Sequence, residues 1–148
     1  MHSHQQGFSL IEVIVVIALF AVIASLGLLM SFESYRGATF RSERDTMVGV
    51  LQKARSRAMA NIDQAAWGVR YDGTPNFTYT IYKRVGLATQ DVDSIAGNQG
   101  ASVSPAPFSV TFSQLSGTTT GTFSATIVEN GHTTAPPVSV NYEGTIIW

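Results

Sequence analysis

Glu12 is the only charged side chain between Phe8 and Met30, in a run otherwise built of Ile, Val, Leu, Ala, Phe, Met, Gly and Ser. A carboxylate in hydrocarbon costs on the order of 2.5 to 3.5 kcal/mol at the centre of a spanning helix, and less near an interface, so Glu12 needs a partner. On a helix the side chains within reach are Ser9, Val15 and Val16, and none is a cation. The counter-charge must come from another chain or from a chain terminus. A cut after Gly7 would make such a terminus, leaving an ammonium on Phe8. A second copy of the helix, shifted along its axis, could present that ammonium to Glu12. The chemistry on offer is exposure of an amine by proteolysis, followed by charge pairing where the dielectric is low.

The element that must position these residues is a helix. Phe8 to Met30 spans roughly 34 Å at about 1.5 Å per residue, enough to cross a bilayer core. No Pro interrupts the run and Gly27 lies near its end, so an unbroken helix is expected. A secretory signal peptide would want a basic start, a shorter apolar core and no acid at its head. An uncleaved signal anchor fits the length but leaves the spacing of Glu12 from Gly7 unexplained. Both rank below a cleaved helix that associates with its copies.

Gly7-Phe8-Ser9-Leu10-Ile11-Glu12-Val13 followed by an unbroken apolar helix resembles the class III prepilin leader of type IV pilins and type II secretion pseudopilins. The resemblance implies that a membrane prepilin peptidase/methyltransferase cuts between Gly7 and Phe8 and N-methylates Phe8, and that Glu12 guides assembly. Other pilin or pseudopilin subunits, an inner-membrane assembly platform and, before assembly, the membrane itself are the implied partners. The implied location is the bacterial inner membrane, single-pass with the C-terminal domain outside the cytoplasm, then a periplasmic or extracellular filament. Residues 1–6 depart from the family in carrying no Lys or Arg; the nearest cations, Arg36, Arg41 and Arg44, lie beyond the helix. That runs against the positive-inside rule, so the orientation rests on the cleavage motif. Leu51 to Ala60 is similar to the helix end of the GspH/FimT minor pseudopilins and pilins.

Past Met30 the pattern becomes amphipathic, with Phe40, Met47, Leu51, Ala54, Ala58 and Ile62 on one stripe and Arg, Glu and Asp on other faces. Asn61 is a plausible helix stop, and Lys53, Arg55 and Arg57 suit the negative end of the helix dipole. The predicted division is a leader at 1–7, a transmembrane or filament-core half at 8–30, an amphipathic half at 31–62 and an antiparallel β domain at 63–148. The fold class is α+β, a pilin-like lollipop whose long helix packs on a small antiparallel sheet of five or six strands. Ala66 to Tyr71 and Phe77 to Arg84 read as a hairpin, and 85–107 as a long surface loop with at most a short strand. Further strands are expected at Phe108 to Phe112, Thr122 to Glu129, Val138 to Tyr142 and Thr145 to Trp148, with a turn at Asn130-Gly131.

The absence of cysteine excludes disulfides, thiolate metal sites and thiol catalysis. The net charge of -1 hides an asymmetry, since 85–148 holds Asp91, Asp93, Glu129 and Glu143 and no Lys or Arg. No nucleophile, Walker or zinc-protease motif is present, so neither catalysis, a cofactor nor a metal is expected. His2 and His4 would be lost on processing, and His132 reads as a solvated loop residue. Asp91-Val92-Asp93-Ser94 resembles the start of a calcium loop, but Ile95 stands where an oxygen ligand is wanted and no Glu follows. Asn76-Phe77-Thr78 fits a glycosylation sequon and is read as a turn. Arg55, Arg57, Lys83 and Arg84, with Trp67 and Tyr82, are too thin a set to favour nucleic acid. The resulting expectation is a structural filament subunit, pilin or minor pseudopilin. A DNA-capturing minor pilin and a monomeric membrane-anchored binding module are the alternatives.

Overall fold

One α-helix, α1, runs from Leu10 to Met59 in the computed structural model, which describes residues 9–129, 132–133 and 136–148 and, on these, side chains other than those of 28–36, 129 and 132. The chain divides into two compact units, Met1–Gly37 and Ala38–Trp148. In the first, Leu10–Gly27 has a mean hydropathy of 2.8 and none of it is buried, so this helix is long and apolar enough to cross a membrane. A helix apolar on every face has no polar side to turn to water, which suits lipid or a packed core. Ser25 satisfies its own hydroxyl by donating 2.8 Å back to the Val22 carbonyl, so it adds little polar cost there.

In the second unit α1 buries Met47, Leu51, Ala54 and Ala58 at helical spacing against two antiparallel sheets. The helix stops at Met59 because Asn61 turns left-handed (φ 56°, ψ 32°), a conformation Asn tolerates better than most residues. The Ala58 carbonyl, which the helix would otherwise leave unpaired, accepts from Asn61 N at 3.1 Å and from Leu115 N of a remote turn at 2.9 Å. Ile62 departs from the buried stripe on which its spacing places it. It opens a single 3-10 turn, Ile62–Gln64, and is 43% exposed, because the helical period has already ended.

The strands are β1 (Ala66–Tyr71), β2 (Thr78–Val85), β3 (Ala88–Ala96), β4 (Ser102–Ser104), β5 (Phe108–Phe112), β6 (Phe123–Glu129), β7 (His132–Thr133), β8 (Val138–Val140) and β9 (Ile146–Ile147). One sheet has the order β3-β2-β1-β5; the other has β4-β6-β8-β9, with β7 also pairing β6. The first hairpin has the expected register, from Tyr71 opposite Tyr79 to Ala66 opposite Arg84. The reading of 85–107 as a loop is overturned. Val85 pairs Ala88 across a two-residue turn, and β3 continues to Ala96 with an irregularity opposite Ile81/Tyr82. β3 is an edge strand exposed along most of its length, so it lacks the apolar-polar alternation by which a half-buried strand betrays itself. The Asn130-Gly131 turn lies outside the described residues.

The inner faces supply Trp67, Val69, Tyr71, Tyr79, Ile81, Val110 and Phe112 from the first sheet, and Val103, Ala125, Ile127, Val138 and Val140 from the second. Phe108 of the first sheet and Phe123 of the second bring ring centroids to 4.6 Å across the gap. On the outer face of the first sheet Tyr82 lies across β1 to reach Ser109 and Thr111, at 2.8 and 2.6 Å. Gly68 makes that crossing possible, since a Cβ there would meet the Tyr82 ring and hydroxyl at 2.5 Å.

Candidate functional site: a lone carboxylate at the head of the helix

The helix hydrogen bonds begin at Ser9, whose carbonyl accepts from Glu12 N at 3.0 Å and Val13 N at 3.3 Å. Glu12 thus sits in the first turn of α1, where the partial positive charge of unpaired amides favours an acid by about 0.3 to 1 kcal/mol. That offsets only a fraction of the cost of a carboxylate in hydrocarbon. Glu12 is exposed and, among the described residues, has no ion-pair partner. With Val13, Val16 and Ile17 it lines a shallow apolar cleft on the helix surface. The chemistry available is acceptance of an external cation by a carboxylate among apolar side chains. Gly7 and Phe8, the residues expected to be cut and methylated, lie outside the described residues, as do His2 and His4.

The remaining candidates are dispersed. Asp91 and Asp93 lie in β3 rather than in a loop, each paired with a cation: Asp91 with Arg70 at 3.1 Å and Asp93 with Lys53 at 2.7 Å. The Lys53 hydrogen bond and charge hold the Asp93 carboxyl below its usual range, and the Asp91 hydrogen bond raises Arg70. Among the described residues no cluster of three or more His, Asp or Glu could hold a metal. Asn76 is exposed in the β1–β2 turn, where its carbonyl accepts from the Thr78 hydroxyl at 2.8 Å.

The cations that could serve nucleic acid do not form one face. Arg57 lies 4.8 Å over the Trp67 ring, Lys83 pairs with Asp63 at 2.9 Å, and Arg55 donates to the Glu143 carbonyl at 3.2 Å. Tyr82 is buried and engaged with Ser109 and Thr111, so it offers no stacking platform. Arg84 is exposed. His132 falls in β7.

Sequence reasoning misses Glu43. Its charge assigns it to a polar face, yet it is 1% exposed and sits on the inner stripe of α1. Its Oε1 accepts from the Tyr79 hydroxyl and its Oε2 from Asn98 N, both at 2.6 Å. Burial raises Tyr79 far above the ordinary phenol range, and the Glu43 charge raises it further; Tyr71 is raised by the same two causes. The signal that could have found it is spacing, since 43 falls between 40 and 47 at intervals of three and four.

A family model described as the prokaryotic N-terminal methylation motif matches residues 2–28. No curated protein and no solved structure matches the chain. The matched segment contains Gly7, Phe8 and Glu12 and runs into the apolar helix, and an antiparallel β unit follows it. This is an α+β chain of pilin-like plan whose N-terminus carries a class III prepilin leader, consistent with the type IV pilins and pseudopilins.

Proposed function

We propose that this chain is a structural, non-catalytic subunit of a type IV pilus-like or type II secretion filament. Prepilin peptidase cuts it between Gly7 and Phe8 and methylates Phe8; it waits in the bacterial inner membrane with its C-terminal domain outside the cytoplasm, then enters the fibre. The observation that carries this reading is the methylation motif over 2–28, continuous with an apolar helix whose one charge is Glu12.

The physics of assembly follows from that arrangement. Ala18, Ala21, Ala24, Ser25 and Gly27 put small side chains among the large ones, allowing neighbouring helices close approach where lipid supplies no drive between them. Inside a fibre each large apolar side chain taken from water contributes about 1.5 to 3 kcal/mol, so the assembled state is durable and a released subunit insoluble. The Phe8 ammonium of one copy pairs with Glu12 of the next. Desolvation offsets much of that attraction, so the pair acts mainly by penalising every axial stagger that leaves a charge unmatched.

Intact mass of the protein from its host tests the processing step. The expected mass is that of residues 8–148 plus one methyl group, and assembled material still beginning at Met1 would refute it. Glu12→Ala and Glu12→Leu test the assembly step. Both should accumulate in the membrane and fail to enter fibres; fibres at wild-type yield would remove Glu12 from the mechanism.

A further inference from the structure

Two of the apolar features that the described residues of the second unit leave partly exposed are a projecting tip and a cleft. One is the tip of the β2–β3 hairpin, where Gly86 (φ +62°) makes the turn, Leu87 is 94% exposed and Val85 57%. A two-residue turn with Gly first accepts a polar residue second, so the backbone does not call for Leu at 87. Arg84 Nε donates to the Gly86 carbonyl at 3.3 Å and steadies the tip. The other is a cleft between α1 and the C-terminal strand, lined by Gln52, Arg55, Met59, Thr145, Ile146 and Trp148; Met59 and Trp148 are 42% and 49% exposed.

The cleft and the sheet that carries the tip lie toward opposite flanks of the helix. Lys53 and Arg57 reach Asp93 of β3 and Trp67 of β1, whereas Gln52, Arg55 and Met59 line the cleft. At ~100° per residue the buried stripe of Met47, Leu51, Ala54 and Ala58 lies between the two sets, roughly 100° from each. β3 and β9 are correspondingly the outer strands of their sheets. A knob on one flank and a hole on the other complement each other between copies, and a contact between two different patches propagates from copy to copy, into a ring if the rotation closes and a helical fibre if it does not. The charges agree. Arg84 beside the tip and Glu143 beside the cleft are both exposed, and among the described residues neither side chain has an ion-pair partner.

We infer that Val85 and Leu87 of one copy seat in the Met59, Ile146 and Trp148 cleft of the next, with Arg84 of the first beside Glu143 of the second. The inference rests on the filament reading and names the lateral partner of the second unit as another copy of this chain. One Leu and one Val bury far less than a stable dimer needs, so the contact forms only where membrane or fibre already concentrates the copies.

The absence of native cysteine makes thiol cross-linking unambiguous. Full-length Leu87→Cys and Trp148→Cys chains are co-expressed and treated in membranes with a short bifunctional maleimide; Met59→Cys in place of Trp148→Cys guards against a local effect at the cleft. Ile23→Cys on the apolar helix reports helix association separately. Mixed tip-to-cleft products should form and exceed tip-to-tip products. Arg84→Glu or Glu143→Arg should each lower the mixed product about threefold, and the double reversal should restore it, which loss of fold in either single variant would not do. Helix products without tip-to-cleft products, tip-to-tip products in excess, or no rescue by the double reversal would overturn the inference and leave the filament reading standing. Loss of both kinds of product would overturn the two together.

Discussion

Removing the Glu43 carboxylate should be among the most damaging single changes in the second unit. It accepts two hydrogen bonds of 2.6 Å, from a buried phenol and from a backbone amide. Bonds to a charged group contribute about 1.5 to 3 kcal/mol each, and Glu43→Ala also leaves the buried Tyr79 hydroxyl and the part-buried Asn98 amide without this acceptor. Against this stands the desolvation cost of the carboxylate, which the substitution removes. The expected net loss is about 3 kcal/mol, roughly 10 to 20 °C in Tm for a unit of this size. Glu43→Gln should cost only about 1 kcal/mol, because its carbonyl can accept from Asn98 N while its NH2 donates to the Tyr79 oxygen, which is acceptor as well as donor. Near-UV circular dichroism of the full chain in detergent, melted and titrated with urea, follows the buried Trp67. A loss under about 1 kcal/mol for Glu43→Ala would refute the assignment. So would a Gln variant as unstable as the Ala variant, since charge rather than hydrogen-bond geometry would then hold the site.

Three further outcomes concern Tyr79 and the glycines. Tyr79 has a folded pKa raised by burial and by Glu43, so its contribution is fully present below the unfolded value of about 10 and is lost as pH rises beyond it; tyrosinate absorbance should show cooperative alkaline unfolding above about pH 10, and Tyr79→Phe should flatten that alkaline loss. Gly86 and Gly144 both have positive φ, but a Cβ on Gly86 meets nothing within 4 Å, whereas one on Gly144 falls on the Gly117 carbonyl. Gly86→Ala should cost about 1 to 2 kcal/mol and Gly144→Ala about 3 or more, measured as urea midpoints; equal costs would show that space is irrelevant there. Gly68→Ala should displace the Tyr82 hydroxyl from Ser109 and Thr111 and cost about 2 kcal/mol or more, and a crystal structure with Tyr82 unmoved would contradict this.

Features that depend on local pattern are legible in the residues themselves. An unbroken apolar run gives a helix, Asn61 stops it, and the first hairpin takes its register from alternation on either side of a Pro- and Gly-containing turn. Features that depend on what lies opposite are not. β3 is exposed at most of its positions and sends Ile95 against the core, and nothing in its own residues states that β2 is its neighbour. Arg55 and Arg57 resemble one basic cluster in the chain, yet two residues on a helix turn the side chain by about 200°, toward different sheets. Glu43 is misplaced by its residue type because charge there masks spacing, whereas the fold supplies Tyr79 and Asn98 from remote strand and loop positions.

The external partner proposed for Glu12 and the internal donors of Glu43 give these two acids different expected behaviour. Both are acids on one helix with no cation three or four residues away to compensate them. For Glu43 the compensation is neutral donors within its own unit, so the residue is explained by the fold alone. For Glu12 the described residues supply only the first-turn amides, which offset a minor part of the cost. An acid whose partner is internal should respond to mutation in melting temperature; one whose partner is external should respond in assembly. Glu12→Leu is accordingly expected to leave the melting of the second unit unchanged while abolishing fibres, and Glu43→Gln to lower melting while sparing fibres at permissive temperature. Measuring both properties on both variants separates the two roles, and a Glu12 variant that melted early yet assembled would show that its partner lies within the chain.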